Sequence, residues 1–259
     1  MIRIKTPDEI KIMQIGGRML SETLREVCAQ IRPGMTEIEV DALADKLIRE
    51  KGGEPGFKKV EGYHHATCIS TNEVVVHGIP SLRILKEGDI VGIDCGVFYK
   101  GFHTDMSETV YVKPKTENLK LKNFDEVDKF LKVGKQALEA GISQAKVGNR
   151  VRDISKAIQD IVELKNGYSV VRSLVGHGVG RELHEDPEVP GYLQGKIEKT
   201  PKLKEGMVIA IEVIYNMGGP DLAFANNDGW TLKTKDNSLA GLFERTLAIT
   251  KPGPQVLTP

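Results

Sequence analysis

The chain reads as an α+β protein built from two related halves, with helices covering one face of a curved, mainly antiparallel sheet and the other face left for a site. Three observations predict this. Two phrases, Leu85-Lys86-Glu87-Gly88-Asp89-Ile90-Val91-Gly92-Ile93-Asp94 and Leu203-Lys204-Glu205-Gly206-Met207-Val208-Ile209-Ala210-Ile211-Glu212, each run from a charged turn through an apolar strand to a carboxylate. A pair of amphipathic helical patterns precedes each phrase. Spacing is kept throughout: the helix breaks at Gly34 and Gly148 lie 114 positions apart and the carboxylates Asp94 and Glu212 lie 118 apart. Turns of this kind recur by chance, but helix pairs recurring in step with them do not follow from chance. The period is too long for a solenoid, so two stacked halves of one domain spanning 1–259 are expected, roughly 9–112 and 124–250.

The first helix is predicted from Glu9 to Cys28, with Ile12, Ile15, Met19, Leu20, Leu24 and Val27 at helical spacing and Pro33-Gly34 beyond its end. Thr36 with Glu39 three residues later forms a capping box for a second helix, which should stop at Gly52-Gly53. In the second half, Val127, Phe130, Leu131, Val133 and Leu138 mark a third helix. Val151, Ile154, Ile158, Ile161 and Val162 mark a fourth, ending near Gly167. Lys113–Asn123 and the region of Pro201 read as connecting loops.

Ile90–Tyr99 and Phe102–Tyr111 are strand-like and flank Lys100-Gly101, a two-residue hairpin turn. If Tyr99 faces Phe102, Asp105 faces Gly96, and Asp94 and Asp105 become diagonal neighbours on one face, about 7–8 Å apart by Cα. Gly92 and Gly96 would leave that face open. A slip of one residue would instead place the two carboxylates on opposite faces. Two such groups side by side repel unless one holds a proton or a cation compensates both.

The second half offers complementary donors. Gly176-His177-Gly178-Val179-Gly180 sets an imidazole among glycines, and His184-Glu185-Asp186-Pro187 follows. A histidine alone is more often a hydrogen-bonded structural residue than a ligand; beside buried carboxylates the balance reverses. Glu212 closes its apolar run, and Glu244 heads another, where a salt bridge with Arg245 is an equal alternative. Mostly oxygen donors with one imidazole suit Mn, Fe, Co or Zn, and two bridging carboxylates would hold two ions about 3.5–4 Å apart. His77 ends a further apolar strand, His64-His65 reads as an exposed loop, and Cys95 should point into the core.

Composition narrows the class. Lys plus Arg and Asp plus Glu number 36 each, so no overall charge draws the chain to nucleic acid or an anionic membrane. Three scattered cysteines, Cys28, Cys68 and Cys95, fit a reducing compartment, and no stretch approaches the roughly 18 apolar residues of a membrane span. A soluble, cytoplasmic monomer is expected.

Taken in order, Cys68–Pro80, the Asp94–Asp105 hairpin, Gly176–Gly180, His184–Pro187 and Asp228–Thr234 closely resemble the type I methionine aminopeptidases. The resemblance covers about Ile4 to Thr250 and implies the pita-bread fold. It implies five ligands to two divalent ions, Asp94, Asp105, His177, Glu212 and Glu244, with Asp105 and Glu244 bridging. It also implies removal of the initiator methionine from nascent polypeptides when the second residue is small, by attack of metal-activated water. Glu212 would assist proton transfer, His184 would hydrogen-bond the carbonyl oxygen and His77 would contact the leaving amide. Tyr63, Cys68, Leu183 and Trp230 match the family's methionine pocket, with Phe57 a fifth member, and transient ribosome contact fits such a substrate. Val213 after Glu212, Arg245 after Glu244 and Leu183 replace the family's usual Pro, His and aromatic residue, respectively. Two other readings share the scaffold. One is a proline-directed peptidase, whose relatives usually carry a long extra N-terminal domain; the other is a binding protein that has lost catalysis, which predicts missing ligands where this sequence has all five.

Overall fold

A computed structural model describes residues 1–114 and 124–259, so the connector expected at Lys113–Asn123 falls largely outside the described residues. The first half contains α1 (Pro7–Gln30), α2 (Glu37–Glu50), β1 (Glu54–Pro55), β2 (Thr67–Thr71), β3 (Val74–Val76), β4 (Ile90–Tyr99) and β5 (Phe102–Tyr111). The second contains α3 (Phe124–Gln144), α4 (Val151–Gln159), β6 (Ser169–Val170), β7 (Gly176–Gly178), β8 (Glu185–Val189), β9 (Val208–Asn216), β10 (Leu222–Phe224), β11 (Leu232–Thr234), β12 (Ala240–Thr250) and β13 (Gly253–Val256).

Local chemistry accounts for the helix starts. Thr6 caps α1 through the N–H of Glu9, whose carboxylate returns to the Thr6 N–H, and Pro7 at the first position loses no hydrogen bond. Thr36 and Glu39 repeat this device at α2. At α4 the Arg150 N–H donates to Asp153 at 2.7 Å. Beyond Gln159 the helix widens into a π turn over Asp160–Lys165.

One antiparallel sheet runs through both halves in the order β1-β4-β5-β12-β9-β7-β8. On β4, Val91, Ile93, Cys95 and Val97 pack against Leu20, Leu24, Val27, Val40 and Ile48 of α1 and α2. On β9, Ile209, Ile211, Val213 and Tyr215 pack against Phe130, Ile154 and Ile158 of α3 and α4. Alternation sends Gly92, Asp94 and Gly96, and likewise Ala210 and Glu212, to the opposite face. Each large aliphatic side chain buried this way contributes about 1.5–3 kcal/mol, so the helix face carries much of the stability. The two halves meet where β5 lies beside β12.

The expected strand ends need correction. Glu212 lies inside β9, and Glu244 is internal to β12 instead of at its head, whereas Asp94 lies within Ile90–Tyr99 as expected. Each strand continues because apolar residues beyond the carboxylate, such as Val213, Ile214 and Tyr215, still have core to fill. His65 also departs from the exposed loop expected for it: its Nδ1 lies 3.2 Å from Asp41, which accepts from the Ala66 and Thr67 N–H groups, whereas His64 is exposed.

Helix α3 reaches the sheet through Gly134, where a Cβ would lie 2.4 Å from the Phe243 ring and 2.5 Å from the Tyr215 hydroxyl. That hydroxyl donates to the Phe130 carbonyl at 2.6 Å. Gly134→Ala should therefore destabilise the fold: overpacking costs about 1–3 kcal/mol, against a helix-propensity gain of about 1 kcal/mol at most. A thermal unfolding midpoint several degrees below the parent is expected, and an unchanged or higher midpoint would refute the close packing.

Candidate metal centre

The hairpin register is the one that sets both aspartates on one face. Tyr99 pairs with Phe102, Gly96 with Asp105 and Asp94 with Ser107. Across the sheet, Cys68, Asp94, Ser107, Glu244 and Glu212 form one row on β2, β4, β5, β12 and β9. Two residues along, Gly96 and Asp105 form a second row. It continues over the seam through hydrogen bonds from Asp105 to Thr246, then to Ala210 and His177. Residues in register share a face, so two neighbouring rows deliver four carboxylates and an imidazole to one spot.

Donor atoms of Asp105, His177 and Glu244 lie within 4.8 Å of one another. His177 Nε2 is 3.5 Å from Glu212 Oε1 and 3.9 Å from Asp105 Oδ2. Its Nδ1 is 2.8 Å from the Gly178 carbonyl, which fixes the tautomer with Nδ1 as donor and turns the Nε2 lone pair toward the acids. Gly176 and Gly178 allow this approach, since a Cβ on either would fall within 2.5 Å of a facing carbonyl oxygen.

Electrostatics marks the cluster as incomplete by itself. Burial pushes the Asp94 carboxyl up to about 7. Burial and then the charge of Asp94 push Asp105 and Glu212 well up. Glu244 rises through burial and then through Asp105 and Glu212. Burial and then His184 push His177 down to about 3. Among the described residues no Lys or Arg pairs with these four acids, and Asp94 Oδ1 and Glu244 Oε1 are buried without a hydrogen-bond partner. Arg245, which the sequence left as one alternative partner for Glu244, pairs with Glu108 at 2.9 Å on the helix face. Buried acids this close, with oxygen atoms left over and no basic partner, fit a divalent cation.

A cavity of about 80 Å³ opens beside the cluster. His77 and His184 stand at it; burial lowers the pKa of both, with His184 adding to the effect on His77. The His184 ring lies 4.3 Å from that of His177. Lys5 and Arg3 pair with Glu185, and this carboxylate also accepts from the Arg181 N–H, which holds the 181–185 loop.

The apolar wall is made by Phe57, Tyr63, Cys68, Leu183 and Trp230. Tyr63 stands edge-on to Trp230 at 5.1 Å and to Phe57 at 6.4 Å, and its hydroxyl donates to the Thr67 carbonyl at 2.8 Å. All twelve residues singled out from the sequence therefore line this cavity. Val60, the thirteenth, was not singled out; its place three residues before Tyr63 was the available signal. Gly96 is not open, as expected, but covered: a Cβ there would lie 2.8 Å from the Phe57 ring. Cys95 is fully buried on the helix face, as its alternation requires.

The description "metallopeptidase family M24" fits residues 11–251. The chain is 43% identical over 258 residues to the methionine aminopeptidase of Clostridium perfringens, covering 100% of this chain and 99% of that one. It is 42% identical over 258 residues to methionine aminopeptidase 1 of Bacillus subtilis, with 100% and 99% covered. The crystal structure of the Thermotoga maritima methionine aminopeptidase superimposes with a TM-score of 0.91 at 40% identity, covering 100% of this chain and 99% of that one. With the match running through the whole fold and across the donor cluster, the chain belongs to metallopeptidase family M24, among its methionine aminopeptidases.

Proposed function

We propose that the chain removes the N-terminal methionine from peptides and nascent polypeptides when the next residue is small, acting as a single catalytic domain. The observation that carries this reading is the adjacency, in one cavity, of four acids and an imidazole to an apolar wall with aromatic members. A methionine side chain suits such a pocket, because its flexible thioether fills irregular space and gains modestly from ring edges. Asp94, Asp105, His177, Glu212 and Glu244 would hold two divalent ions, Co, Mn, Fe or Zn. The chemistry such ions supply is Lewis acidity, which makes water nucleophilic at neutral pH and polarises a carbonyl.

The side chains supply the rest. Glu212, whose Oε1 lies 3.5 Å from His177 Nε2, would accept the proton of the attacking water. His184 donates to the carbonyl oxygen as charge develops there. His77, which lines the same cavity, would contact the amide that departs. With both imidazoles lowered by burial, each is neutral near pH 7 and offers one donor and one acceptor. Three unpaired thiols, and the lack of any helix long and apolar enough to cross a membrane among the described residues, support work in the cytoplasm, where a growing chain meets the enzyme during transient ribosome contact.

Two measurements test this reading. Protein stripped by a chelator should hydrolyse Met-Ala-Ser only after Mn or Co is restored; full activity in excess chelator, or faster turnover of Xaa-Pro peptides, would overturn it. His184→Ala should retain its metal by elemental analysis yet lose about 10²–10³ in kcat, the cost of deleting one donor to a developing oxyanion. Loss of metal in that variant would instead make His184 a ligand.

A further inference from the structure

The seam between the halves is stitched in an unusual way. Strands β5 and β12 are in backbone register only at Glu244 with Ser107 and at Arg245 with Met106. On either side of that short ladder a threonine hydroxyl takes the place of the facing main chain. At one end Thr109 Oγ1 accepts from the Leu242 N–H at 2.9 Å and donates to the Leu242 carbonyl at 2.8 Å. At the other, Thr246 Oγ1 accepts from the Asp105 N–H at 2.9 Å and donates to the Asp105 carbonyl at 2.8 Å. Each half thus contributes one hydroxyl that satisfies both backbone groups of a residue in the other half.

The two stitches differ in what they hold. Leu242 is an apolar residue, whereas Asp105 is a member of the donor cluster. Asp105 Oδ1 accepts from the Met106 N–H at 3.0 Å, which leaves Oδ2 to face His177. With one carboxylate oxygen tied locally and both main-chain groups tied to Thr246, the aim of the other oxygen depends on where Thr246 stands.

Thr246 itself is clamped. Its N–H donates to Thr258 Oγ1 at 3.0 Å and its carbonyl accepts from the Leu257 N–H at 2.9 Å. Its main chain is therefore committed to residues 257–258, leaving only the hydroxyl for Asp105. Thr246, Leu257 and Thr258 are all fully buried. Helix α1 closes over them at Gly17, where a Cβ would lie 2.2 Å from the Leu257 carbonyl oxygen. A β-branched side chain has few rotamers to lose, and a hydroxyl can donate and accept at once, so threonine suits this post.

We propose that Thr246 is a positioning residue for the metal centre. Under the clamp of Leu257 and Thr258, its hydroxyl holds Asp105 across the seam so that the Asp105 carboxylate faces the cluster beside Glu244 and His177. This rests on the metal-centre reading above. Thr109 provides the internal control, because it makes the same pair of hydrogen bonds in the same seam without touching a ligand.

The test is calorimetric titration of Mn²⁺ into the chelator-stripped full chain, with thermal unfolding of each stripped variant alongside. Thr246→Val should weaken Mn²⁺ binding about 10–100-fold, the usual effect of deleting a partner behind a ligand, while Thr246→Ser should bind within about threefold of the parent. Thr109→Val should also stay within about threefold, even though its unfolding midpoint falls as far as that of Thr246→Val. Parent-like binding by Thr246→Val, or an equal loss in Thr109→Val or Thr246→Ser, would overturn the proposal. Thr258→Val keeps the Thr246 hydroxyl but unpins its backbone, and decides the matter should Thr246→Val not fold: binding weakened about fivefold is expected, and parent-like binding would overturn it. If the parent binds no Mn²⁺, the metal-centre reading itself fails.

Discussion

Four acids buried beside one imidazole, with no basic side chain paired to them among the described residues, make the constraint on which the rest of the molecule depends. Removing one carboxylate from water costs several kcal/mol even after relaxation, and mutual repulsion among four adds to it. The rest of the fold must supply enough stability to carry that unfavourable cluster. It does so on the other side of the sheet, where two apolar cores lie beneath two helix pairs. The division of the sheet into a stabilising face and a functional face is thus an energetic requirement as well as a consequence of alternation.

Pseudo-twofold architecture explains how so few elements bring so many donors together. Each half contributes strands whose carboxylates fall in a common row, and pairing β5 with β12 makes the two rows continuous. No member of the donor cluster sits on a long loop; each lies on a strand fixed on at least one side by hydrogen bonds. His77 and His184, by contrast, stand at strand ends and loops, His77 with a left-handed φ of 56°. Groups that would hold an ion are on rigid elements, and groups that would meet a passing substrate are on connections, where small adjustments are less costly.

Much of this was legible because the deciding signals are local. Lys100 and Gly101 both adopt positive φ, 47° and 87°, the geometry of a tight hairpin turn, and that turn fixes the register placing Asp94 and Asp105 on one face. Thr36 and Glu39 announced α2 by the same short-range chemistry that forms the cap. What escaped was set by distance along the chain. Gly96 lies under Phe57, His65 reaches Asp41 on α2, and Thr246 bonds Asp105 from 141 residues away. None of these has a period or a motif. The strand ends were misjudged for a related reason: a carboxylate looks like a terminus when its burial partners are unknown.

The placing of Arg245 shows why no basic side chain neutralises the cluster. Arg245 follows Glu244, yet alternation sends its side chain through to the helix face. There its guanidinium donates to the Glu244 and Ser107 carbonyls and pairs with Glu108, which Lys135 also approaches at 2.6 Å. Both positive charges are thereby paired with an acid on the far side of the sheet. A lysine or arginine on the near side would satisfy the carboxylates directly and compete with any metal. Tying Arg245 and Lys135 to Glu108 strengthens the junction of the two halves without neutralising the cluster, so the same few residues at β5 and β12 hold the fold together and leave the four acids without a basic side chain.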